Sequence, residues 1–465
     1  MKRFWLVLLS LGLVLAFSAS AMAVDVKFSG SFYAAGMYQD KITFQTVGSQ
    51  ANISTAFYYQ RLRLQTDFIV SPGLKLVTRF DAMDRIWGGY RGGSVNDGSY
   101  EDYKRTSEGQ NIAFDWAHIA YTSPIGLFEV GYMEDNGWGT VFGNNAINGP
   151  SIGAISYTVP VGPVYLNAKL SKNLDRSNSA IFGAAATDQD NDSLSICGIY
   201  VPNKDIQIGL LGAYKRVASG RAATSIWPYP LPAQVNAHAY TVNPYAKAKF
   251  GPIAVEAEVN YAFGEADWEP SLAGNTKTDI SNLTAYANLL ADFGMFYAGG
   301  TFAYVSGDDP TTTYNKMEGG LIDGGVDFTP CLILFGYERN TYAGPIPGYN
   351  YTPSGYLIGN AGPTPLGGAM SNAWFGQGKV GVRPVAKLDI NASVSYAQAD
   401  KKPAGVLNAD MGWEVDVTGT YKLTNNLSYM LGGAYLFTGS YYKGFSNLQS
   451  VNNDYMLINK LTLTF

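Results

Sequence analysis

Between Gln60 and Val70 the chain alternates strictly: Leu62, Leu64, Thr66, Phe68 and Val70 share one parity, while Arg61, Arg63, Gln65 and Asp67 share the other. In an extended strand successive side chains point to opposite faces, so one face is apolar and the other is charged. The next segment repeats this, with Leu74, Leu76 and Phe80 against Lys75, Arg79 and Asp81. So do Ile253, Val255, Ala257, Val259 and Tyr261 against Glu256, Glu258 and Asn260, and Leu388, Ile390, Ala392, Val394 and Tyr396 against Lys387, Asp389, Asn391, Ser393 and Ser395. One side wants lipid and the other water. An Arg on the lipid face at mid-depth costs roughly 2 to 4 kcal/mol, so a one-residue slip exposing Arg61 and Arg63 would cost about 4 to 8 kcal/mol. The basic ladder must face inward.

The first 23 residues read as a secretory signal peptide: Lys2 and Arg3, an apolar run from Phe4 to Phe17, and small residues ending Ala21-Met22-Ala23. That run is too short for a spanning helix, which needs roughly 20 apolar residues, and no later segment reaches about 18. Residues 24–465 are then expected to form one domain that crosses the membrane with strands. Losing Lys2 and Arg3 makes the formal charge of −5 more negative still, which disfavours nucleic acid as a partner. With 53 Gly, 33 Tyr and only 15% charged residues, mean hydropathy is −0.04, the average of a barrel in which neither face dominates.

Tight turns carrying Pro, Gly or Asn recur at 71–73, 123–126, 161–163, 202–204, 251–252, 292–294, 329–330, 383–384 and 424–426. Longer connections lie between them, near 39–55, 85–110, 134–150, 174–192, 216–236, 265–280, 306–316, 340–371, 399–409 and 439–453. This rhythm predicts an all-β, antiparallel, up-and-down transmembrane barrel of 16 to 20 strands, with 20 the best count, short periplasmic turns and long extracellular loops. Tyr58, Tyr59, Trp116, Tyr121, Tyr132, Trp413 and Tyr421 near segment ends suit the headgroup layer.

Other chemistries are not supported. Cys197 and Cys331 make no disulfide framework and no metal spacing, and they read as small residues on strands. The two histidines, His118 and His238, exclude a multi-histidine metal centre or haem chain, and neither stands near a Ser in an elbow motif, so no enzyme, cofactor or metal is expected. The acidic stretch Asp188 to Asp192 fails as an EF-hand, with Ser193 at the sixth position and Ile199 at the twelfth. Gly376 to Gly381 matches a dinucleotide pattern by letter alone, without a βαβ unit around it. Tyr342 to Met370 is a Tyr-, Pro- and Gly-rich connection that reads as an exposed loop, with ligand binding or a plug as the alternative.

The ending Leu461-Thr462-Leu463-Thr464-Phe465 resembles the C-terminal assembly strand of outer-membrane barrels, with Asn459 departing from the apolar pattern. Tyr59 to Leu64, Pro72 to Lys75, Asp115-Trp116 and Gly126 to Tyr132 resemble the trimeric general porins of Gram-negative bacteria. That resemblance implies an outer-membrane location among lipids, small hydrophilic solutes and ions as cargo, a homotrimer, and a glycine-rich loop from Glu134 to Gly143 folding into the barrel. Glu134 and Asp135 would then face Arg61, Arg63 and Arg79, with Lys75 also lining the pore, and set a transverse field across the constriction. The other reading pairs the arginines with Asp67 and Asp81 and leaves residues 134–150 as a cap. The function expected is a water-filled porin with anion preference; the alternatives are a substrate-selective channel for an anion or sugar, or a structural or surface-interaction barrel.

Overall fold

The structure, a computed structural model, describes residues 24–48, 51–88, 112–135, 137–175, 190–218, 234–272, 275–312, 315–344, 369–444 and 446–465. The segment expected to be a signal peptide, Asp188 and Gln189 of the acidic stretch, and most of the connection 342–370 lie outside the described residues. Eighteen strands form the wall: β1 Asp25–Gln39, β2 Thr55–Ser71, β3 Leu74–Ile86, β4 Ile112–Ser123, β5 Gly126–Glu134, β6 Ser151–Val161, β7 Val164–Leu174, β8 Asn191–Asn203 and β9 Ile206–Val217. They continue as β10 Gln234–Phe250, β11 Ile253–Leu272, β12 Asn275–Asp292, β13 Phe296–Val305, β14 Ala373–Val385, β15 Leu388–Ala399, β16 Asp410–Lys422, β17 Leu427–Thr438 and β18 Asp454–Thr464. Each strand pairs antiparallel with the next, and β18 returns to β1 from Ser31 opposite Thr464 to Gln39 opposite Met456. Closure leaves no edge unpaired. Gly30 and Phe465 exchange backbone hydrogen bonds in both directions at this seam, 2.8 and 3.1 Å long.

The alternation read from the sequence sorts the two faces of this wall. Leu76, Ile119, Val130, Ile155, Leu210, Val259, Val394 and Leu457 stand exposed on the outside, as a lipid-facing band requires. Arg79, Asp81, His118, Glu258, Ser395 and Glu414 are buried on the inside. Tyr58, Tyr121, Tyr132, Trp413 and Tyr421 are exposed on the outer surface, but Tyr59 is fully buried within the barrel and Trp116 lies under Arg79. Tyr59 has the parity of Arg61, so its inward direction follows from the register.

The best count of 20 is two strands too many. The turn expected at Thr329-Pro330 does not exist; residues 306–372 are one connection from β13 to β14, and those two strands pair directly. The reason lies in the residues: Val326, Phe328, Cys331, Ile333, Leu334 and Phe335 are all buried, at both parities, so this stretch has no polar face to present as a strand. It enters the barrel instead, and Cys331 lies in this connection rather than on a strand. A two-residue piece of it, Lys316–Met317, runs parallel beside Asp279 and Ile280 of β12 without joining the wall. The long connection expected near 265–280 is also absent, because β11 and β12 stay paired up to Leu272 opposite Asn275. Pro384, which offers no N–H to a ladder, sits at the irregularity between Val382 and Val385, and the chain turns just beyond it.

The inward connection builds a core inside the barrel. Phe328, Ile333, Leu334, Phe335, Tyr342 and Met370 pack with Phe142 and with the inner faces of β1, β2 and β12 to β18, including Tyr33, Tyr59, Tyr286, Phe375, Met411 and Ile458. One side of the lumen is therefore filled, largely by apolar side chains, while β3 to β11 keep a polar inner face.

Candidate functional site

The arginine ladder stands on β2 and β3. Arg63 and Asp81 are direct cross-strand partners, and Gln65 faces Arg79 two pairs further along, on the same face. Arg63 donates from Nε and Nη2 to the two oxygens of Asp81, each bond 2.7 Å. Arg61 approaches Asp81 at 3.8 Å and lies over the Tyr33 ring at 5.3 Å. Arg79 donates from Nε to Asp115 at 3.2 Å and stacks on Trp116 at 3.6 Å. A β-bulge makes the last arrangement possible. Arg79 pairs with Trp116 and Phe80 with Phe114, so Asp115 is the extra residue of β4, and the bulge re-aims it toward the guanidinium.

The connection from β5 to β6, residues 135–150, crosses the lumen. At its far side Glu258 of β11, buried, accepts hydrogen bonds at Oε2 from the Thr140 N–H at 2.6 Å and from Thr140 Oγ1 at 2.7 Å, and at Oε1 from Asn243 Nδ2 at 3.1 Å. Gly139 and Gly143 allow this seat: a Cβ on either would collide with the Glu258 carboxylate, and Gly139 also has φ +77°, a region that favours glycine. Trp138 packs edge-on against Tyr245 at 4.9 Å, and Phe142 stacks on Tyr286 at 5.2 Å. On its return the loop covers the ladder. Arg79 Nη1 donates to the Ala146 carbonyl at 3.0 Å, Arg63 Nη1 to the Ile147 carbonyl, and Arg61 Nη2 to Asn148 Oδ1 at 3.3 Å. The side chains of Arg61, Arg63 and Arg79 keep only 11%, 14% and 6% exposure, so the ladder grips the loop.

The second inward connection locks onto the first. Asp327 accepts the Ile147 N–H at 3.0 Å and the Asn148 N–H at 2.9 Å, and the Val326 N–H donates to Asn145 Oδ1 at 2.9 Å. Further on, Glu338 accepts from Tyr59 at 2.8 Å and is ion-paired with Lys460, while Arg61 donates to Tyr337 at 3.4 Å. Tyr342 donates to Asp84 at 2.6 Å, and the hydroxyls of Tyr342 and Tyr33 lie 2.7 Å apart. Near the root of this connection burial pushes the Asp308 carboxyl up to about 7, against the pull of the Glu318 and Gly319 N–H groups.

The structure thus brings Arg61, Arg63 and Arg79 together and gives them Asp81 and Asp115 as acidic partners. Lys75 stands apart, paired with Asp67 at 2.7 Å. Glu134 and Asp135 meet Lys169 of β7, whose Nζ donates to their backbone carbonyls at 2.7 and 2.9 Å. Asp115, Glu258, Asp327, Glu338 and Lys460 complete the site, and none was expected in the sequence as a pore residue. Asp115 stood there only as part of the Asp115-Trp116 motif and Glu258 only by its parity on the inward face of β11, while the other three carried no signal.

No known protein family matches the chain, and no curated protein matches it. Solved structures do. Pseudomonas aeruginosa OccK2 (OpdF) aligns at 12% identity with a TM-score of 0.50, covering 94% of this chain and 98% of that one. A BenF-like porin from Pseudomonas fluorescens Pf-5 aligns at 13% identity and 0.49, covering 94% and 99%. The Pseudomonas aeruginosa outer membrane protein opdK aligns at 11% and 0.49, covering 94% and 99%. At these identities the likeness is one of fold.

Proposed function

We propose that this chain is an outer-membrane porin, a water-filled channel that passes small hydrophilic solutes and ions across a Gram-negative outer membrane. One observation carries the reading: a closed wall of 18 strands, apolar outside and polar inside, is crossed by a loop fixed at both ends, on Glu258 and on the arginine ladder. A barrel of about eight strands is filled by its own side chains, whereas 16 to 18 strands enclose an aqueous channel. The inner face of β3 to β11, with Lys75, Glu129, Lys169, Lys247 and Glu256 partly exposed, supplies water-facing groups.

A selective form of the channel is favoured over a general one by the second connection. It fills the lumen beside β12 to β18 with apolar side chains and is pinned to the first at Asp327, so the remaining passage is fixed on both sides. The ladder carries three guanidiniums against the carboxylates of Asp81 and Asp115, which supports anion preference. The homotrimer and the kinship with the general porins rest on the motifs of the first third and the last strand; light scattering of the detergent-solubilised protein tests the former.

The test of the channel is conductance of the purified protein in planar bilayers, with solute uptake into liposomes. Stepwise conductance and uptake that falls with solute size are expected, and flux that saturates with concentration would identify the selective form. A protein that inserts in its folded, heat-modifiable state and conducts nothing would overturn the reading.

A further inference from the structure

Glu414 and Asp416 stand two residues apart on the inner face of β16, and both are buried. Their cross-strand neighbours on β15 are Ser395 and Ser393. Gln377 of β14 lies beyond Ser395 and donates to its Oγ at 3.0 Å and to the Pro330 carbonyl at 2.7 Å. The inward connection lays Cys331 over this floor, its Sγ 3.2 Å from Ser395 Oγ. One ligand atom from each of Cys331, Glu414 and Asp416 lies within 4.8 Å of the other two. Sequence spacing does not reveal the group, because the sulfur comes from a connection and the carboxylates from a strand.

The polar bookkeeping of this cluster is incomplete. Each oxygen of Glu414 accepts a backbone hydrogen bond, from the Ile333 and Leu334 N–H groups, both 2.7 Å. Asp416 Oδ2 accepts from Ser393 Oγ at 3.4 Å, but its Oδ1 is buried with no hydrogen-bond partner. The two carboxyls are hydrogen-bonded to each other, the Leu332 N–H also donates to Asp416, and among the described residues neither forms an ion pair. Buried carboxyls this close need a proton or a cation between them, and a shared proton leaves the buried Asp416 Oδ1 without a partner.

We propose that Cys331, Glu414 and Asp416 bind one divalent transition-metal cation of the Zn²⁺ type, which staples the inward connection to the barrel wall. The donor set selects the class: a thiolate with two carboxylates suits a borderline-soft ion, whereas Ca²⁺ and Mg²⁺ take oxygen alone. Asp416 Oδ1 gains its missing partner. On binding, the Cys331 thiol proton and the proton shared by Glu414 and Asp416 pass to solvent and the sulfur lone pair forms the bond to the metal, so no oxidant or reductant enters. Three protein ligands leave a fourth position for water or Ser395 Oγ.

The test uses the purified full chain, stripped with EDTA, desalted and given Zn²⁺ alone. Retention of about one Zn²⁺ per chain by elemental analysis is expected, with a higher midpoint for loss of the heat-modifiable folded band. Cys331→Ala and Asp416→Asn should each weaken retention by more than about tenfold, and Cys197→Ala should leave it unchanged. Cys331 is in a connection, so its variant leaves every strand residue in place, and the folded band verifies assembly. If wild type retains no Zn²⁺ and melts at the same temperature with and without it, or if Cys331→Ala binds like wild type, the proposal is overturned.

Discussion

Arg63 clasps both oxygens of Asp81 through parallel hydrogen bonds of 2.7 Å, with the two residues directly opposed on β2 and β3. The same guanidinium reaches the Ile147 carbonyl with its remaining nitrogen. Strand pairing, charge compensation and the seat of the crossing loop therefore meet in one side chain.

Replacing Asp81 with Asn removes one of the two carboxylates that face Arg61, Arg63 and Arg79. Hydrogen bonds to charged groups are worth about 1.5 to 3 kcal/mol, so the variant should be less stable by that order. Its reversal potential under a salt gradient should move toward greater anion permeability. Adding Arg63→Gln restores the balance of charge, and the double variant should return toward wild type. No difference in reversal potential between Asp81→Asn and wild type would show that the ladder lies outside the conducting field.

Gly143→Val addresses the other end of the loop. The new side chain would run into the Glu258 carboxylate, which cannot swing aside cheaply because Thr140 and Asn243 hold it. The loop should leave β11, and single-channel conductance should rise and become noisier while the folded barrel persists in gel mobility. Glu258→Ala removes the anchor without the collision and should give the same increase. Unchanged conductance in both would mean that residues 138–143 do not border the passage.

The wall was legible in the sequence wherever alternation met a turn residue. Arg61 and Arg63 set the register of β2, Pro72-Gly73 and Pro124 marked its neighbours' turns, and Phe465 marked the closing strand. Tyr59 was legible too, since it shares the parity of Arg61, although its place in an aromatic pair suggested the headgroup layer. The interior was harder to read, for physical reasons. Asp115 reaches Arg79 only through a bulge, which breaks the parity on which the reading depends. Residues 326–335 carry buried apolar side chains at both parities, and they are ordered by long-range docking onto Phe142, Phe375 and Glu414, which no local pattern encodes.

Asp308 makes the seat of the second connection sensitive to pH. Burial raises its carboxyl from the usual value to about 7, while the Glu318 N–H donates to it at 2.8 Å and Glu318 and Asp309 add like charge nearby. Because the folded value lies above the unfolded one, its stabilisation is full below about pH 4 and is lost as pH rises through 7, up to about 4 kcal/mol in all. The connection should be held more firmly at pH 5 than at pH 8, seen as slower protease cleavage within residues 306–344. Asp308→Asn mimics the protonated acid and should flatten the dependence. Equal cleavage rates at both pH values in wild type would contradict this account.

Asp327 decides whether the two inward connections move together. Its oxygens accept the Ile147 and Asn148 N–H groups, whose own carbonyl and side chain are held by Arg63 and Arg61. The order from wall to centre is thus arginine, crossing loop, then second connection, with Asp327 the charged link between the last two. Asp327→Ala leaves two backbone donors without acceptors, a loss of about 1 to 3 kcal/mol for each donor that stays buried. Open-channel current should then show additional closures as the second connection moves independently, while selectivity, which we propose the ladder sets, should change little. Asp327→Asn keeps one acceptor oxygen and should fall between Ala and wild type. If Asp81→Asn alters selectivity but Asp327→Ala leaves the gating record like wild type, the second connection is held by its apolar core and its other hydrogen bonds, and Asp327 is not the link.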